Sequence, residues 1–275
     1  MLASWSDVTR RATVCRARPA IAILAILGCT AACSSTGTSS SSSTTTSTGR
    51  SAALAAITHL TALGDSVPYG TACDCNPYPH LTAADIGHVN GAAVGVTNEA
   101  EPGYRSGDVL HQIHDDATVV TNVQGAQAVT IEVGANDVAY SPSCGTQLSC
   151  YEPALPALTS NLDAIVRRVH ELTATHHVAV VLLDYWSVWL GGQYAQAQGP
   201  AYVETVDALT RQVNDTIRRT AEATQSIYVD LRTAFRGPDD AWDETHLLAP
   251  DGDHPNAAGH ERIAEAIAQA VAQQP

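Results

Sequence analysis

The sequence predicts an α/β protein, a three-layer α/β/α sandwich built around a sheet of five parallel strands. Short apolar runs alternate with helical patterns along the chain, which is typical of parallel βαβ units. Two of these runs are largely apolar and rich in β-branched residues, as expected of strands that are covered on both faces. The chain has 275 residues, of which 45% are hydrophobic and 15% charged. That is enough to bury one sizeable core.

The predicted strands are apolar runs of strand length that end at turn or loop residues: His59–Leu63, Val94–Asn98, Ala128–Val133, Val178–Asp184 and Ile227–Asp230. The third and fourth are the apolar, β-branched runs and are expected at the centre of the sheet. Three helices are predicted where apolar residues recur at helical spacing: Leu158–Thr173, Tyr202–Ala223 and Ala257–Val271. Strands alternating with helices in this way indicate a flavodoxin-like arrangement.

The first 32 residues are typical of an export signal. Four of the 14 arginines and only one of the 28 acidic residues precede residue 33, and residues 20–27 form an apolar run. A charged start, a short apolar stretch and small residues are the parts of a signal peptide. The apolar run is too short to span a bilayer, which takes about 20 residues. The protein is therefore expected to be exported.

Two cysteines compete as the end of this signal. Cys29 follows an aliphatic residue, as in a bacterial lipobox, whereas Cys33 follows small residues and precedes a serine-rich stretch. Lipidation at Cys33 is favoured, because it would leave an even set of cysteines in an oxidising compartment, suited to disulfides. That set is Cys73, Cys75, Cys144 and Cys150, and its three possible pairings stay open. The protein would then be lipid-anchored on the outer face of the bacterial cytoplasmic membrane. Cleavage by ordinary signal peptidase would give a secreted protein instead.

Residues 33–54 are predicted to be a flexible tether, and residues 55–275 the folded domain. Serine, threonine and glycine dominate residues 34–50, and such a segment cannot bury enough apolar surface to become ordered. The chain has no lysine and a net charge of −14, so nucleic acid is an unfavourable partner. Membrane contact is expected only through the lipid anchor, and the protein is expected to be a monomer.

Polar residues and glycines follow several of the predicted strands. Ser66 comes after the first strand, in Gly64-Asp-Ser; Gly103 follows the second, and Asn136 the third, in Gly134-Ala-Asn-Asp. The carboxyl ends of parallel strands meet at one edge of a sheet, where such folds bind their ligands. Ser66 would be a nucleophile there, and the backbone N–H groups of Ser66 and Gly103 and the Asn136 amide could bind an oxyanion.

A serine hydroxyl needs a base to take its proton, and the C-terminal part of the chain supplies one. Asp-x-x-His occurs four times, at Asp85, Asp108, Asp243 and Asp251. The last pair, Asp251 and His254, is favoured because Pro255 restrains the histidine backbone and the final helix follows. His254 would be the general base and Asp251 its orienting acid. Asp253 is a less favoured alternative, since it is adjacent to the histidine.

These segments, taken in order, resemble the four blocks of the SGNH (GDSL) family of serine esterases and lipases. The blocks are Gly-Asp-Ser at 64–66, Gly103, Gly-x-Asn-Asp at 134–137 and Asp-x-x-His at 251–254, and the resemblance covers roughly residues 58–272. It implies the SGNH hydrolase fold, with residues 55–275 as the catalytic domain. It also implies that Ser66, His254 and Asp251 form a catalytic triad, and that Ser66, Gly103 and Asn136 form the oxyanion hole.

Aromatic residues cluster after the fourth strand, in Tyr185, Trp186 and Trp189. They would either wall a substrate pocket or pack their loop onto the domain. An Asp/His cluster near the C-terminus could suggest a metal, but no zinc motif is present and a metal would occupy the imidazole that Ser66 needs. No metal and no cofactor are therefore expected.

Three functions remain in competition. The first is an extracytoplasmic serine esterase or lipase that cleaves a small-molecule or polymer-borne carboxylic ester through an acyl-enzyme. The second keeps the site but acts as an O-acetyl esterase or acetyltransferase on cell-wall or plant polysaccharide. The third is a tethered binding protein without catalysis, which the complete set of catalytic residues disfavours. The length of the acyl chain and the nature of the alcohol stay open.

Overall fold

The computed structural model describes residues 57–273. The predicted signal peptide, the tether and the two candidate lipidation cysteines lie outside this range. The described residues form one five-stranded sheet, with strands β1 His59–Gly64, β2 Gly95–Asn98, β3 Ala128–Glu132, β4 Ala179–Leu183 and β5 Ile227–Val229. Each predicted strand is present, and each end agrees to within one residue.

The strand order is β2-β1-β3-β4-β5, and every neighbouring pair is parallel. The chain leaves β1 towards β2 on one side and then returns to place β3 on the other side of β1. The order thus reverses between β1 and β3. In open α/β sheets, ligands bind beyond the carboxyl ends of the strands at this switch point.

Helices connect the strands and cover both faces of the sheet. Within residues 57–273 they are α1 Ser66–Tyr69, α2 Tyr78–Asn90, α3 Ser106–Asp115, α4 Ala117–Gly125, α5 Leu155–Leu172, α6 Gly192–Gln196, α7 Pro200–Thr224, α8 Leu231–Arg236 and α9 Ala257–Ala272. Helices α2 and α9 pack together on one face, whereas α3, α4, α5 and α7 cover the other. The predicted three-layer α/β/α sandwich is confirmed.

The core lies on both faces of the central strands. Every residue of β3 is buried, as are the last five residues of β1 and the last four of β4. The apolar stripe of α5 (Leu158, Leu162, Ile165, Val166 and Val169) is fully buried as well, as its spacing predicts. Within the described residues, no helix is long and apolar enough to cross a membrane.

The close approach of β1 and β3 requires a glycine at position 64. Gly64 has φ +148°, and a Cβ atom built on it would lie only 2.1 Å from the carbonyl oxygen of Glu132. The next residue, Asp65, donates its backbone N–H to that same oxygen at 3.1 Å. The glycine therefore allows the chain to leave β1 against β3 and to begin α1 directly at the rim.

Candidate active site

Ser66 is the first residue of α1, at the carboxyl end of β1. Asp65 caps this four-residue helix by accepting a hydrogen bond from the backbone N–H of Val67 at 3.1 Å. Gly70 ends it in the left-handed conformation, with φ +93°. Residues next to the short helix thus cap both of its ends. Ser66 is half-buried and lines a cavity at the carboxyl edge of the sheet.

His254 and Asp251 lie together in the loop that precedes α9. The Nδ1 atom of His254 is 2.8 Å from Oδ2 of Asp251, and the backbone N–H of His254 donates to Oδ1 of the same carboxylate at 3.1 Å. The His254 carbonyl accepts from the Ala249 backbone N–H at 2.8 Å, and Asn256 caps α9 through Gly259. The imidazole is therefore held on a fixed loop with Nε2 free for another partner.

Partial burial acts to raise the pKa of Asp251, but hydrogen bonds from the His254 ring and from the backbone outweigh it. The resulting pKa lies below its ordinary value. Asp251 is thus an ionised carboxylate, as is required to orient an imidazole and to stabilise its protonated form.

In the other Asp-x-x-His segments, no hydrogen bond among the described residues joins the aspartate carboxylate to the histidine of its own segment. His246 Nδ1 lies 3.0 Å from the backbone carbonyl of Asp243, whose carboxylate binds Thr245 instead. On α3, Asp108 accepts the backbone N–H of Arg105, and His111 pairs with Asp115 at the exposed surface. Among the four segments, Asp251 and His254 alone have the arrangement that a serine nucleophile needs.

Asn136 lies in the 3₁₀ turn Ala135–Val138 that follows β3. Its Nδ2 donates to the carbonyl oxygen of Tyr104 at 3.0 Å, which brings it beside the segment that contains Gly103. Asp137 fixes this contact, because its carboxylate accepts from both the backbone N–H and the Oγ of Ser106, at 2.9 and 2.5 Å. One N–H of the Asn136 amide is used in this way, and the second remains available to an oxyanion.

The three predicted groups Ser66, Asn136 and His254 line one cavity of about 380 Å³. Gly103 is adjacent to the Asn136 contact but does not itself line the cavity. A wider surface groove of about 620 Å³ runs along α2 and β2, but no carboxylate, serine or cysteine lines it. The smaller cavity is therefore the candidate active site.

The three aromatic residues that follow β4 are buried and line the cavity. Tyr185 and Trp186 are each 1% exposed, and Trp189 is 4% exposed. The Tyr185 hydroxyl donates to Oδ2 of Asp65 at 2.6 Å, and the Trp189 Nε1 donates to the Val138 carbonyl at 2.8 Å. The same three rings thus pack their loop onto the domain and line the cavity, so the two expected roles do not exclude each other.

Several residues of the cavity have no counterpart in the sequence motifs. Tyr140, Gln198 and Tyr202 line it, and only their long-range placement reveals this. Asp253 lies inside the last block, and it also lines the cavity. Asp65 is visible in the motif, but its role is not: burial raises its pKa to about 6, although hydrogen bonds from Tyr185 and the Val67 backbone oppose the shift.

The structure joins Cys73 to Cys75 and Cys144 to Cys150. The second disulfide closes a short loop whose Gly145 carbonyl accepts from the Tyr151 hydroxyl at 2.8 Å.

Among the described residues, the group whose ligand atoms lie close enough for a metal is Cys73, Cys75 and His260. Both sulfurs are bonded to each other, and the His260 Nδ1 accepts from the Tyr78 backbone N–H at 3.2 Å.

A model of the GDSL-like lipase/acylhydrolase family matches residues 62–262. This range begins in β1 and ends in α9, so it contains all four sequence blocks and the whole cavity. No curated protein matches this chain.

Solved structures share the fold at low sequence identity. A lipase from a goat rumen metagenome superposes with a TM-score of 0.59 at 18% identity, covering 77% of this chain and 96% of the other. An acetylxylan esterase from Geobacillus stearothermophilus gives 0.56 at 20%, covering 78% and 94%. A lipase/acylhydrolase from Enterococcus faecalis gives 0.54 at 19%, covering 78% and 95%. These likenesses support the α/β/α fold.

Proposed function

We propose that this chain, which belongs to the GDSL-like lipase/acylhydrolase family and is a carboxylic ester hydrolase, uses a Ser66–His254–Asp251 triad outside the cytoplasm. One observation carries the proposal. Among the described Asp-x-x-His segments, only Asp251 and His254 pair the aspartate carboxylate with the histidine of the same segment, and His254 lines the same cavity as Ser66. These contacts support a nucleophile, a base and an orienting acid at one site at the switch point of the sheet.

The reaction follows from the atoms of this site. Ser66 Oγ attacks the ester carbonyl carbon while His254 Nε2 takes its proton, and Asp251 stabilises the imidazolium. The backbone N–H of Ser66 and the Asn136 amide, both at the cavity, bind the developing oxyanion, and the Gly103 N–H is the third donor that the family resemblance implies. His254 then protonates the leaving alcohol. A water molecule, deprotonated by the same imidazole, hydrolyses the acyl-enzyme and restores the serine.

A serine-directed fluorophosphonate and a small acetate ester test this mechanism. We expect the wild-type protein to be labelled covalently at Ser66 and to hydrolyse p-nitrophenyl acetate. The S66A variant should lose both properties. The matched control is S160A, because Ser160 is an exposed serine on α5 that bonds only its own helix. Labelling that persists in S66A, or that is absent from a folded wild-type protein, would refute the triad.

A polysaccharide O-acetyl esterase or acetyltransferase is the second candidate. Tyr140 at the cavity is 46% exposed and packs against Trp189 and Tyr202 at ring distances of 5.2 and 5.7 Å. An exposed ring supported in this way can stack on a sugar. A series of p-nitrophenyl esters from acetate to decanoate separates the two candidates. A sharp restriction to acetate favours the polysaccharide, whereas activity on long chains favours an esterase or lipase.

The export proposal rests on the first 33 residues of the sequence. A bacterial host that expresses the full chain should carry the protein in its membrane fraction, accessible to protease added outside the cells. C33A should release it from the membrane or leave its signal uncleaved, whereas C29A should not. Membrane attachment that survives C33A and fails in C29A would move the lipid to Cys29, and a cytoplasmic protein would refute export.

A further inference from the structure

The candidate active-site cavity has an unbalanced charge. Two carboxyl groups line it, those of Asp65 and Asp253, and no arginine does. The whole chain contains no lysine, so no side chain of permanent positive charge faces the bound substrate. A cavity of this kind repels anions and favours a cation by simple Coulomb attraction.

Asp253 is the carboxylate of this cavity that is available to a ligand. Its backbone N–H donates to Asp251, but none of the described residues donates a hydrogen bond to its carboxylate. By contrast, Asp65 already accepts from the Tyr185 hydroxyl and the Val67 backbone. The residue is exposed as well as lining the cavity, so a ligand can reach its carboxylate.

Aromatic rings form another part of the cavity wall. Trp189 and Tyr202 are buried, with ring centres 5.4 Å apart, and Tyr140 packs against both. The Trp189 ring is fixed through Nε1, and the Tyr202 hydroxyl accepts the Leu190 backbone N–H at 3.2 Å. The negative face of an aromatic ring attracts a cation, and fixed rings do so without a further ordering cost.

The carboxylate and the rings act on the same space. Asp253 lines the same cavity as Tyr140, Trp189 and Tyr202. A ligand in this cavity is therefore in reach of both the carboxylate and the rings. A carboxylate together with several aromatic rings is the combination that recognises ammonium groups in proteins.

We propose that the cavity prefers esters that carry a cationic ammonium group, with Asp253 as the specificity-determining residue and Tyr140, Trp189 and Tyr202 as its aromatic support. This inference rests on the proposed function, because it assigns the substrate class of the same site. It concerns the group next to the ester and leaves the reaction itself unchanged.

The test compares two acetates of equal shape. Acetylcholine carries a trimethylammonium group, and 3,3-dimethylbutyl acetate carries a neutral tert-butyl group in its place. At low ionic strength we expect the wild-type kcat/KM to favour acetylcholine by about tenfold, and D253N to reduce this ratio about five- to tenfold. D253E should restore it. D239N is the control, because it removes the same charge from an exposed position outside the cavity.

The ratio separates specificity from catalysis. Any effect of the substitution on His254 changes the hydrolysis of both acetates and cancels in the ratio. Equal rates for the two acetates in the wild type, or a ratio that D253N leaves unchanged, would overturn the inference. If the neutral acetate is still cleaved in a Ser66-dependent way, the proposed function stands and only the substrate class fails. If neither acetate nor the fluorophosphonate reacts, the proposed function itself fails.

Discussion

The carboxylate of Asp251 holds His254 from two directions. Its Oδ2 lies 2.8 Å from the ring Nδ1, and its Oδ1 accepts the backbone N–H of the same histidine at 3.1 Å. The Asp253 backbone N–H donates to Oδ1 as well. One carboxylate thus fixes both the fold of the loop and the proton on the imidazole, because Nδ1 must carry a hydrogen to donate to it.

Replacing Asp251 with asparagine should lower kcat by about 10²- to 10⁴-fold with little change in KM. The amide can still accept the backbone N–H groups through its oxygen. Its NH₂ group would then face Nδ1, which must become an acceptor, and the proton would move to Nε2. An imidazole protonated at Nε2 cannot take the proton of Ser66. The measurement is kcat and KM of D251N for p-nitrophenyl acetate.

The exposed pair on α3 provides the control for this variant. His111 Nδ1 lies 2.7 Å from the carboxylate of Asp115, and both side chains are largely exposed. D115N therefore removes a carboxylate from a histidine at nearly the same distance but away from the cavity, and it should leave kcat unchanged. Equal losses in D251N and D115N would mean that the effect is one of overall charge.

Asn136 should contribute to the chemical step rather than to binding. N136A removes an amide donor aimed at the oxyanion, and we expect kcat to fall about 10²- to 10³-fold at a nearly constant KM. The variant also loses the bond to the Tyr104 carbonyl, so its melting temperature is measured alongside. N122A is the control, because the Asn122 amide makes a comparable bond to Glu99, away from the cavity. An N136A enzyme with full kcat would remove Asn136 from the oxyanion hole.

The central strands β1, β3 and β4 could be predicted closely because each is a largely apolar, buried run. The edge strands β2 and β5 are less buried, and the turn or loop residues at their ends mark them instead. Helix α2 was not predicted. Its buried positions include Pro79 and Thr82 beside Tyr78, Ala83 and Ile86, and a proline and a threonine interrupt the apolar spacing by which a helix is recognised. Tertiary packing against α9 stabilises this helix, and a periodicity argument does not include that contribution.

The Asp251–His254 contact could be predicted from sequence because the two residues are three positions apart. The residues of the cavity wall could not be predicted from sequence in this way. Tyr140, Tyr202 and Asp253 come from different parts of the chain and meet only when the sheet has placed their loops at one rim. Asp253 is disfavoured as the orienting acid because it is adjacent to His254, yet it lines the cavity. The chemistry is therefore local in the sequence, whereas the features that select a substrate depend on the fold.

Gly64 should be indispensable to folding. In G64A the new methyl group would lie 2.1 Å from the Glu132 carbonyl oxygen, and φ +148° disfavours alanine as well. Strands β1 and β3 would have to separate, so we expect a loss of more than about 4 kcal/mol in the free energy of unfolding, or no folded protein. G125A is the control, since nothing lies within 4 Å of its Cβ. Urea unfolding of both variants decides the matter, and a stable G64A would contradict the close strand contact.

Glu132 should make the protein less stable as the pH rises. The side chain is fully buried. Burial raises the pKa of Glu132 well above its ordinary value of 4.5, the charge of Asp65 raises it further, and a hydrogen bond with the Tyr78 side chain opposes the shift only in part. Above pH 4.5 the unfolded chain loses a proton that the folded protein keeps. The contribution of Glu132 to the free energy of unfolding is therefore largest below pH 4.5. It decreases as the pH rises, until the carboxyl group of the folded protein ionises as well.

The isosteric E132Q variant removes this ionisation and should gain stability relative to wild type as the pH rises from 5 to 9. Urea unfolding of both proteins at several pH values measures the difference. E204Q, at an exposed position on α7, should show no such trend. A difference between wild type and E132Q that stays constant with pH would mean that Glu132 is ionised in the folded protein. In that case a positive partner must stabilise the charge of Glu132, and this carboxylate would add its negative charge to that of Asp65.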